Sequence, residues 1–359
     1  MLRFAVGLAL LAACTAAPAQ TAINYDNTSC SGCHISQASQ PDTPMGSAME
    51  LPGANLVLEA HPSLSFHMGV FTWTVATHDN RSTYTVSDGT NSLSLPIYYA
   101  FGAGTQTWVF EYQGAFYESL VSYYAGKHAL GITTGDEQLR PQTLVQAMGR
   151  RLSAMDVNSC FACHSTDSVI HHKLTLDTLH PGLSCSHCHQ GALRHAQEAA
   201  VDNFSQQPPS LKYISAASMA SFCGQCHRSF STVVRNGWLG KMDVRFQPYR
   251  LELSQCFIGT DPRISCIACH DPHKNLDRRL VDYDSKCLAC HAPDAKPTII
   301  GQAKVCPVAK SHCVSCHMPR IELPGNHGLY FRATTSALSV RAAFRYSTTS
   351  VRARGREDG

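Results

Sequence analysis

The feature that most constrains this chain is one pentapeptide, Cys-x-x-Cys-His, which occurs seven times in 359 residues. The chain contains 17 Cys and 19 His, and a shuffled sequence of this composition would hold only about 0.04 copies. The repeat is therefore not an accident of composition. The seven copies are Cys30/Cys33/His34, Cys160/Cys163/His164, Cys185/Cys188/His189, Cys223/Cys226/His227, Cys266/Cys269/His270, Cys287/Cys290/His291 and Cys313/Cys316/His317.

Two thiols about one helical turn apart, followed directly by an imidazole, are typical of a c-type haem attachment site. Each thiol can add to a vinyl group on the same porphyrin edge, and the adjacent histidine then ligates the iron. We therefore predict seven covalently bound haem c groups. The fourteen motif cysteines would be thioether anchors and the seven motif histidines proximal iron ligands.

Three other uses of Cys-x-x-Cys fit this chain less well. Zinc ribbons join such units in twos to make four-ligand sites, and seven units do not pair. A thioredoxin-like site uses one unit beside a βαβ pattern. A disulfide framework has no need of a histidine at a fixed position after every cysteine pair.

The N-terminus predicts export. Residues 1–20 carry one charge at Arg3, an apolar run and then small residues, as a secretory signal does. Leu11-Ala12-Ala13-Cys14 resembles a bacterial lipobox and predicts Cys14 as the lipidated first residue of the mature protein. Cleavage after Ala19 is the alternative and would remove Cys14. Both place the chain in the periplasm or on the outer surface of a bacterial cell, where c-type haem is attached.

The spacing of the motifs divides the mature chain into unequal parts. Between the first two motifs lie 125 residues, whereas the later spacers have 20, 33, 38, 16 and 21 residues. We therefore assign residues 21–155 to the first motif plus a β-rich segment. An antiparallel meander is predicted there, with a helix afterwards at Pro141–Met155. The predicted strands are Phe71–Val75, Ser82–Val86, Leu93–Phe101, Thr107–Tyr112 and Phe116–Tyr124, with turns at 88–91 and 113–114.

Residues 156–327 are predicted to form a six-haem domain. Spacers this short cannot bury an ordinary apolar core, so the haems themselves would be the core. The expected fold is a multihaem cytochrome c of mainly short α-helices and loops wrapped round stacked haems, with the antiparallel β-meander inserted near the N-terminus. Residues 328–359 form an Arg/Ser/Thr-rich tail that is predicted to be disordered.

Twelve histidines outside the motifs are available for the distal side of the irons. His195, His273 and His327 each follow a motif closely, too near their own iron to swing round the same ring, so each is expected to ligate a neighbouring haem. His61, His67 and His180 are further candidates. A haem without a distal side chain would be open to substrate.

The remaining cysteines and the charge add less. Cys256 and Cys306 belong to no motif and are candidates for a disulfide in an oxidising compartment, two unrelated buried thiols being the alternative. The net charge is +3 with no block of Lys or Arg, which argues against nucleic-acid binding. After the signal, no apolar stretch is long enough to span a membrane, so any membrane attachment would be through the N-terminal lipid.

Seven segments of the chain carry a family resemblance, namely Ala100–Gly104, Ser122–Tyr124, Cys160–Ser165, Phe222–Arg228, Val244–Arg250, Cys266–His273 and Cys313–Pro319. With them the sequence resembles bacterial multihaem cytochromes c with a cytochrome c-552/c-554-like domain, over most of residues 30–327. The resemblance implies electron transfer through closely stacked, mostly bis-His haems, with His195 and His273 as distal ligands.

Three functions remain open from the sequence. The first is an electron carrier, with no catalytic residues, that exchanges electrons with redox proteins or quinol-linked donors. The second is an oxidoreductase acting on hydroxylamine, nitrite or tetrathionate at one five-coordinate haem. The third is a binding role for residues 60–130, in which the β segment docks a partner.

Overall fold

The computed structural model describes residues 30–238, 245–261, 263–323 and 329–332. The predicted secretory signal with Cys14, the candidate ligand His327 and most of the predicted tail lie outside the described residues. Within these ranges, no helix is long and apolar enough to cross a membrane.

The described residues form seventeen strands and eleven α-helices, most of them short. The strands are β1 (Met49–Glu50), β2 (Ser63–Met68), β3 (Phe71–His78), β4 (Arg81–Ser87), β5 (Ser92–Pro96), β6 (Tyr99–Phe101), β7 (Thr105–Tyr112), β8 (Ala115–Ser119), β9 (Val121–Tyr124), β10 (Ala129–Ile132), β11 (Gly149–Arg151), β12 (Ser165–Thr166), β13 (Val169–Ile170), β14 (Lys173–Leu174), β15 (His180–Pro181), β16 (Arg320–Glu322) and β17 (Tyr330–Arg332). The helices are α1 (Leu56–Ala60), α2 (Leu144–Met148), α3 (Ala154–His164), α4 (Cys185–Cys188), α5 (Ala192–Ala199), α6 (Ala216–His227), α7 (Phe230–Arg235), α8 (Gln247–Glu252), α9 (Cys266–Cys269), α10 (Asp284–His291) and α11 (Cys313–His317).

Strands β2 to β5 form a four-stranded antiparallel meander. Side chains in β3 alternate between the two faces, so that Phe71, Trp73 and Val75 are buried while the residues between them are more exposed. Trp73 pairs with Val86 across the ladder, and Val86 is also fully buried. The alternation thus covers one face of this sheet with core residues.

The other strands of this region form a second, seven-stranded sheet in the order β1-β6-β7-β8-β11, with β9 paired to β7 and β10. The predicted single strand over Leu93–Phe101 is in fact two strands, one in each sheet. Pro96 ends the first of them, because proline has no N–H to donate to a ladder. The predicted meander is therefore limited to the first sheet.

The two sheets share a core of eighteen buried residues. The Trp73 indole donates to the Ala147 carbonyl at 2.7 Å, and the Tyr84 hydroxyl donates to the Met148 carbonyl at 3.0 Å. These bonds hold α2 against the sheets. The predicted helix over Pro141–Met155 is interrupted at Gly149, where a Cβ would collide with the Glu118 carbonyl, and the chain forms β11 there.

Helix α3 connects the β region to the second motif. A capping box begins it: the Ser153 hydroxyl accepts from the Asp156 N–H, while the Asp156 carboxylate accepts from the Ser153 N–H. Phe161, fully buried, packs edge-on against Tyr99 and Phe101, with ring centroids 4.9 and 5.2 Å apart. The second motif is thereby fixed under the seven-stranded sheet.

Residues 165–323 have a different construction. Among the described residues of this part, the buried hydrophobic clusters are one of three residues, Val233, Phe246 and Tyr249, and one centred on Leu323. Near its end, Tyr330–Arg332 pairs with Arg320–Glu322 as a two-stranded sheet. The prediction that the disordered tail begins at residue 328 is therefore wrong for these residues, whose ladder hydrogen bonds and apolar contacts around Leu323 order them.

Candidate functional site

Each of the seven motifs is folded as one helical turn. Four of them form the C-terminal end of a helix, namely of α3, α6, α10 and α11. In the other three, the histidine N–H donates to the carbonyl of the first cysteine, at 2.9 Å for His34, His189 and His270. Residues i and i+3 lie on one face of such a turn, so both sulfurs of a motif point the same way. This is the arrangement needed to hold one porphyrin edge.

Two motif imidazoles are oriented by backbone carbonyls. Nδ1 of His164 donates to the Ala48 carbonyl at 2.9 Å, and Nδ1 of His291 donates to the Lys304 carbonyl at 2.7 Å. A carbonyl only accepts, so the proton is on Nδ1 and Nε2 keeps its lone pair. Metal-ligating histidines in proteins are usually fixed in this way.

Burial keeps several motif imidazoles neutral. It lowers the pKa of His164, of His227 and of His189 below the usual value of histidine. Nearby positive charge lowers the pKa of His227 further, from His164 and Arg228. A neutral imidazole is the form that ligates a metal, so these side chains are prepared for that role without a change of protonation at neutral pH.

Two of the histidines outside the motifs face motif histidines. The ring of His195 lies 6.4 Å from the ring of His34, centroid to centroid, and His273 is stacked 6.0 Å from His189 with an interplanar angle of 9°. Two imidazoles on opposite sides of one metal, with bonds of about 2 Å, have centroids about 6 Å apart. The spacing in both pairs therefore leaves room for one metal ion between the rings.

The ring nitrogen Nδ1 of each of these two histidines has a defined hydrogen-bond partner. Nδ1 of His195 donates to the Gln206 carbonyl at 2.7 Å, and Nδ1 of His273 donates to the Asp271 carboxylate at 3.1 Å. A further bond from the Ser39 hydroxyl to the His273 carbonyl, at 3.1 Å, joins this loop to the first motif. Both histidines thus keep Nε2 available.

The other candidate distal ligands have different surroundings. His61 has Nε2 against the Tyr123 hydroxyl at 2.7 Å, and the exposed His67 has Nδ1 against the Thr72 hydroxyl at 3.1 Å. Both lie in the β region. His180 lies in β15, paired with Thr166, two residues after His164.

Sulfurs of different motifs lie side by side. Thiols are hydrogen-bonded between Cys30 and Cys185, Cys163 and Cys226, Cys223 and Cys266, and Cys287 and Cys313. Cys188 is an electrostatic neighbour of Cys223 and Cys226, as Cys269 is of Cys287. The hydrogen bonds thus join motif one to three, motif four to two and five, and motif six to seven, and the electrostatic neighbours connect these groups in the order one, three, four, five, six, seven.

The fourteen motif cysteines differ in their exposure. A core made of haems would bury all of the predicted anchors, yet Cys33, Cys269 and Cys316 are exposed, while the other eleven are buried or partly buried. For these three sulfurs the structure therefore differs from the burial that the predicted core implies. Cys33 and Cys316 belong to the first and last motifs, whereas Cys269 belongs to motif five, in the middle of the series. Their role as thioether anchors stays a prediction.

The surroundings of the second motif shift the pKa values of its two thiols in opposite directions. Burial raises the pKa of Cys160 to about 12, with the charges of Glu118 and Asp156 adding to the effect. The hydrogen bond from Cys226 lowers the pKa of Cys163 to about 7. In the part of the chain that the structure describes, no three His, Cys, Asp or Glu side chains meet as a metal-binding group.

Two arginines make the side of motifs two and four electropositive. Arg228 follows His227 directly and acts electrostatically on Cys163 and His164. The buried Nε of Arg245 has no hydrogen-bond partner among the described residues, and burial lowers its pKa, with Arg228 adding to the shift. A buried cation with an unused donor suits a carboxylate. The anionic propionates of a haem are such groups, so these residues fit the predicted cofactor.

The predicted disulfide between Cys256 and Cys306 is not formed. Both are free thiols. Cys256 is an electrostatic neighbour of Cys290 and Cys287 in motif six, and backbone N–H groups of Val308 and Ala309 bond to Cys306. The short spacer loops between motifs place the two sulfurs in separate surroundings.

Sequence reasoning missed the groups that orient the site. Ala48, Gln206 and Lys304 act through their carbonyls, for which no sequence signal exists. Arg228 did have a signal, since a cation directly after a motif histidine is placed beside the predicted iron ligand.

Comparison of the chain with protein-family models and with curated proteins finds no match. Among solved structures, the crystal structure of the outer cell wall cytochrome OcwA is similar, with a TM-score of 0.33 and 16% sequence identity. The similarity covers 56% of this chain and 36% of that one, so the chain spans about a third of that cytochrome's length.

Proposed function

We propose that this chain is an exported heptahaem c-type cytochrome that carries electrons between redox partners. The observation that carries the proposal is the contrast between the two parts of the chain. The β region has a core of eighteen buried residues, whereas residues 165–323, which hold motifs three to seven, have a main cluster of three. About 160 residues without a larger apolar centre do not normally fold. Haems bound at the motifs would supply that centre.

Different residues would have different roles in holding the haems. The motif cysteines anchor, the motif histidines ligate on the proximal side, and His195 and His273 ligate on the distal side of motifs one and three. Arg228 and Arg245 offset negative charge at motifs two and four. When bound, haem supplies reversible one-electron Fe(III)/Fe(II) chemistry whose potential depends on axial ligand, burial and hydrogen bonding.

Electron transfer along the chain needs every centre to have a close neighbour. The contacts between motif sulfurs leave none of the seven motifs isolated. Sulfurs of motif four are hydrogen-bonded to motifs two and five and are electrostatic neighbours of motif three, so motif four would be the branch point. Motifs one, two and seven are the ends, and redox partners would exchange electrons there.

The spin state of the haems tests this proposal. We expect the haem-loaded protein, examined by electron paramagnetic resonance and magnetic circular dichroism, to contain only low-spin haems, unchanged by cyanide, nitrite or hydroxylamine. A high-spin fraction near one-seventh that shifts with nitrite would instead support the oxidoreductase. That outcome would refute a pure electron carrier.

Export and anchoring have a separate test. We propose that Cys14 carries lipid, on the basis of the residues before it. Full-length protein made in a bacterium with c-type maturation should then fractionate with membranes, and Cys14→Ser should release it as soluble protein. Soluble wild-type protein that begins at Gln20 would contradict lipidation and leave export intact.

A further inference from the structure

The β region contains a group of three side chains that the proposed function does not use. Tyr123 in β9 is 3% exposed, and its hydroxyl lies 2.7 Å from Nε2 of His61 and 3.5 Å from Nδ1 of His128. The two imidazole rings are 6.4 Å apart, centroid to centroid. Two ring nitrogens therefore converge on one phenol oxygen.

Rigid elements hold this group in place. His61 ends helix α1, its N–H donating to the Val57 carbonyl at 3.0 Å. The helix begins at the buried Asn55, whose side chain accepts from the Leu58 N–H at 2.8 Å. His128 lies in the turn between β9 and β10, where Leu130 pairs with Tyr123. The backbone of all three residues is thus held by the elements of the β region.

Hydrogen bonding accounts for only one of the two contacts. At 2.7 Å the bond between Tyr123 and His61 is a good one, but 3.5 Å to His128 is longer than an effective O–H···N or N–H···O bond. In a tetrahedral site with metal–ligand bonds of about 2 Å, the ligand atoms are about 3.3 Å apart. The two measured distances lie on either side of that value.

We propose that His61, His128 and Tyr123 bind one divalent late transition metal ion, of the Cu²⁺ or Zn²⁺ class. Imidazole nitrogen is a preferred ligand of these ions. The ion would bond to the two nitrogens and the phenolate oxygen, with solvent in the fourth position. The phenol proton leaves to solvent, so one proton is released for each ion bound.

Access and charge agree with this assignment. His128 is exposed and His61 is half-buried, so an ion can enter from solvent without opening the core. A tyrosine phenol is protonated at neutral pH, so a bound ion would replace its proton. No motif residue takes part, so the site is independent of haem binding.

Zinc binding to the haem-loaded full chain tests the proposal. Cys256 and Cys306 are first alkylated so that free thiols do not compete, and bound zinc is measured by equilibrium dialysis with elemental analysis. We expect one saturable Zn²⁺ per chain. His128→Asn, which suits the left-handed turn conformation, should weaken binding about tenfold or more. His78→Asn, at an exposed histidine at the end of β3, is the matched control and should not change affinity.

A second variant separates the metal site from a buried hydrogen-bonded phenol. Tyr123→Phe keeps the aromatic ring in the core, and it should lower zinc affinity and abolish the released proton measured in weakly buffered solution. The proposal is overturned if wild-type protein binds no saturable zinc, or if His128→Asn binds as tightly as wild type. Haem content, measured in parallel, reports on the cytochrome assignment separately.

Discussion

Replacing His195 by alanine tests the distal ligand assignment most sharply. The imidazole of His195 faces that of His34 at 6.4 Å, and its Nδ1 is fixed by the Gln206 carbonyl. Alanine removes the only ring of this pair that is not part of a motif. One haem of seven should then lose its distal ligand, so that about one-seventh of the haem becomes high-spin while six-sevenths remains low-spin.

The assay is quantitative low-temperature electron paramagnetic resonance of the oxidised protein, with haem content checked on the same sample. His273→Ala should give the same fraction at motif three, and the double variant about two-sevenths, because each of the two histidines faces a different motif histidine. His195→Met should restore the low-spin state and raise the midpoint potential of one haem, since thioether ligation favours Fe(II).

His172→Asn is the matched control. His172 is exposed at a hairpin turn with left-handed backbone, which Asn tolerates, and its carbonyl accepts from the Asn158 side chain. Its replacement should leave all haems low-spin. If His195→Ala also leaves every haem low-spin with unchanged potentials, the reasoning from ring spacing is refuted.

Three further outcomes are expected. Burial, with the charge of Glu118, raises the pKa of Asp136 to about 6, so the folded protein holds this proton more tightly than the unfolded chain and its stability falls as pH rises from about 4 to about 6. Asp136→Asn should remove that fall and stabilise the protein at pH 7 by about 1–2 kcal/mol, measured by thermal unfolding followed by circular dichroism. An unchanged pH profile would contradict this explanation. Phe161→Ala should lower the free energy of unfolding by about 3–5 kcal/mol, because the ring is fully buried. Phe204→Ala, at an exposed phenylalanine, should lower it little in the same assay, and equal losses would contradict the packing of Phe161. Because motif two is a side branch, replacing Cys160 and Cys163 by alanine should leave six haems that one donor still reduces rapidly. Stopped-flow absorbance measures this reduction, and a block in it would refute the branched order of the motifs.

The sequence predicted those local structures that follow from alternation and turn chemistry. Strands β3 and β4 lie over the predicted segments, and the turns at 88–91 and 113–114 separate strands as expected. The errors arose where tertiary contacts override local pattern. Pro96 sends the chain from one sheet to the other, and Gly149 interrupts a helical pattern because of close contact with the neighbouring strand.

The candidate site shows the same division. The motifs fix which cysteines and histidines belong together, because attachment chemistry requires them to be adjacent in sequence. Which distal histidine faces which motif depends on contacts between distant segments, as His273 with His189 shows. From the sequence, His61 is a candidate distal ligand, yet its Nε2 faces the hydroxyl of Tyr123, on a strand far along the chain.

The number of haems per chain tests the central claim most directly. Intact-mass spectrometry of the mature protein, made in a bacterium with c-type cytochrome maturation, reports covalent haem together with the N-terminal residue and any lipid. We predict seven haems on every chain, one for each Cys-x-x-Cys-His motif. A folded, exported chain that carries none, with its motif cysteines free or paired with one another, would contradict it.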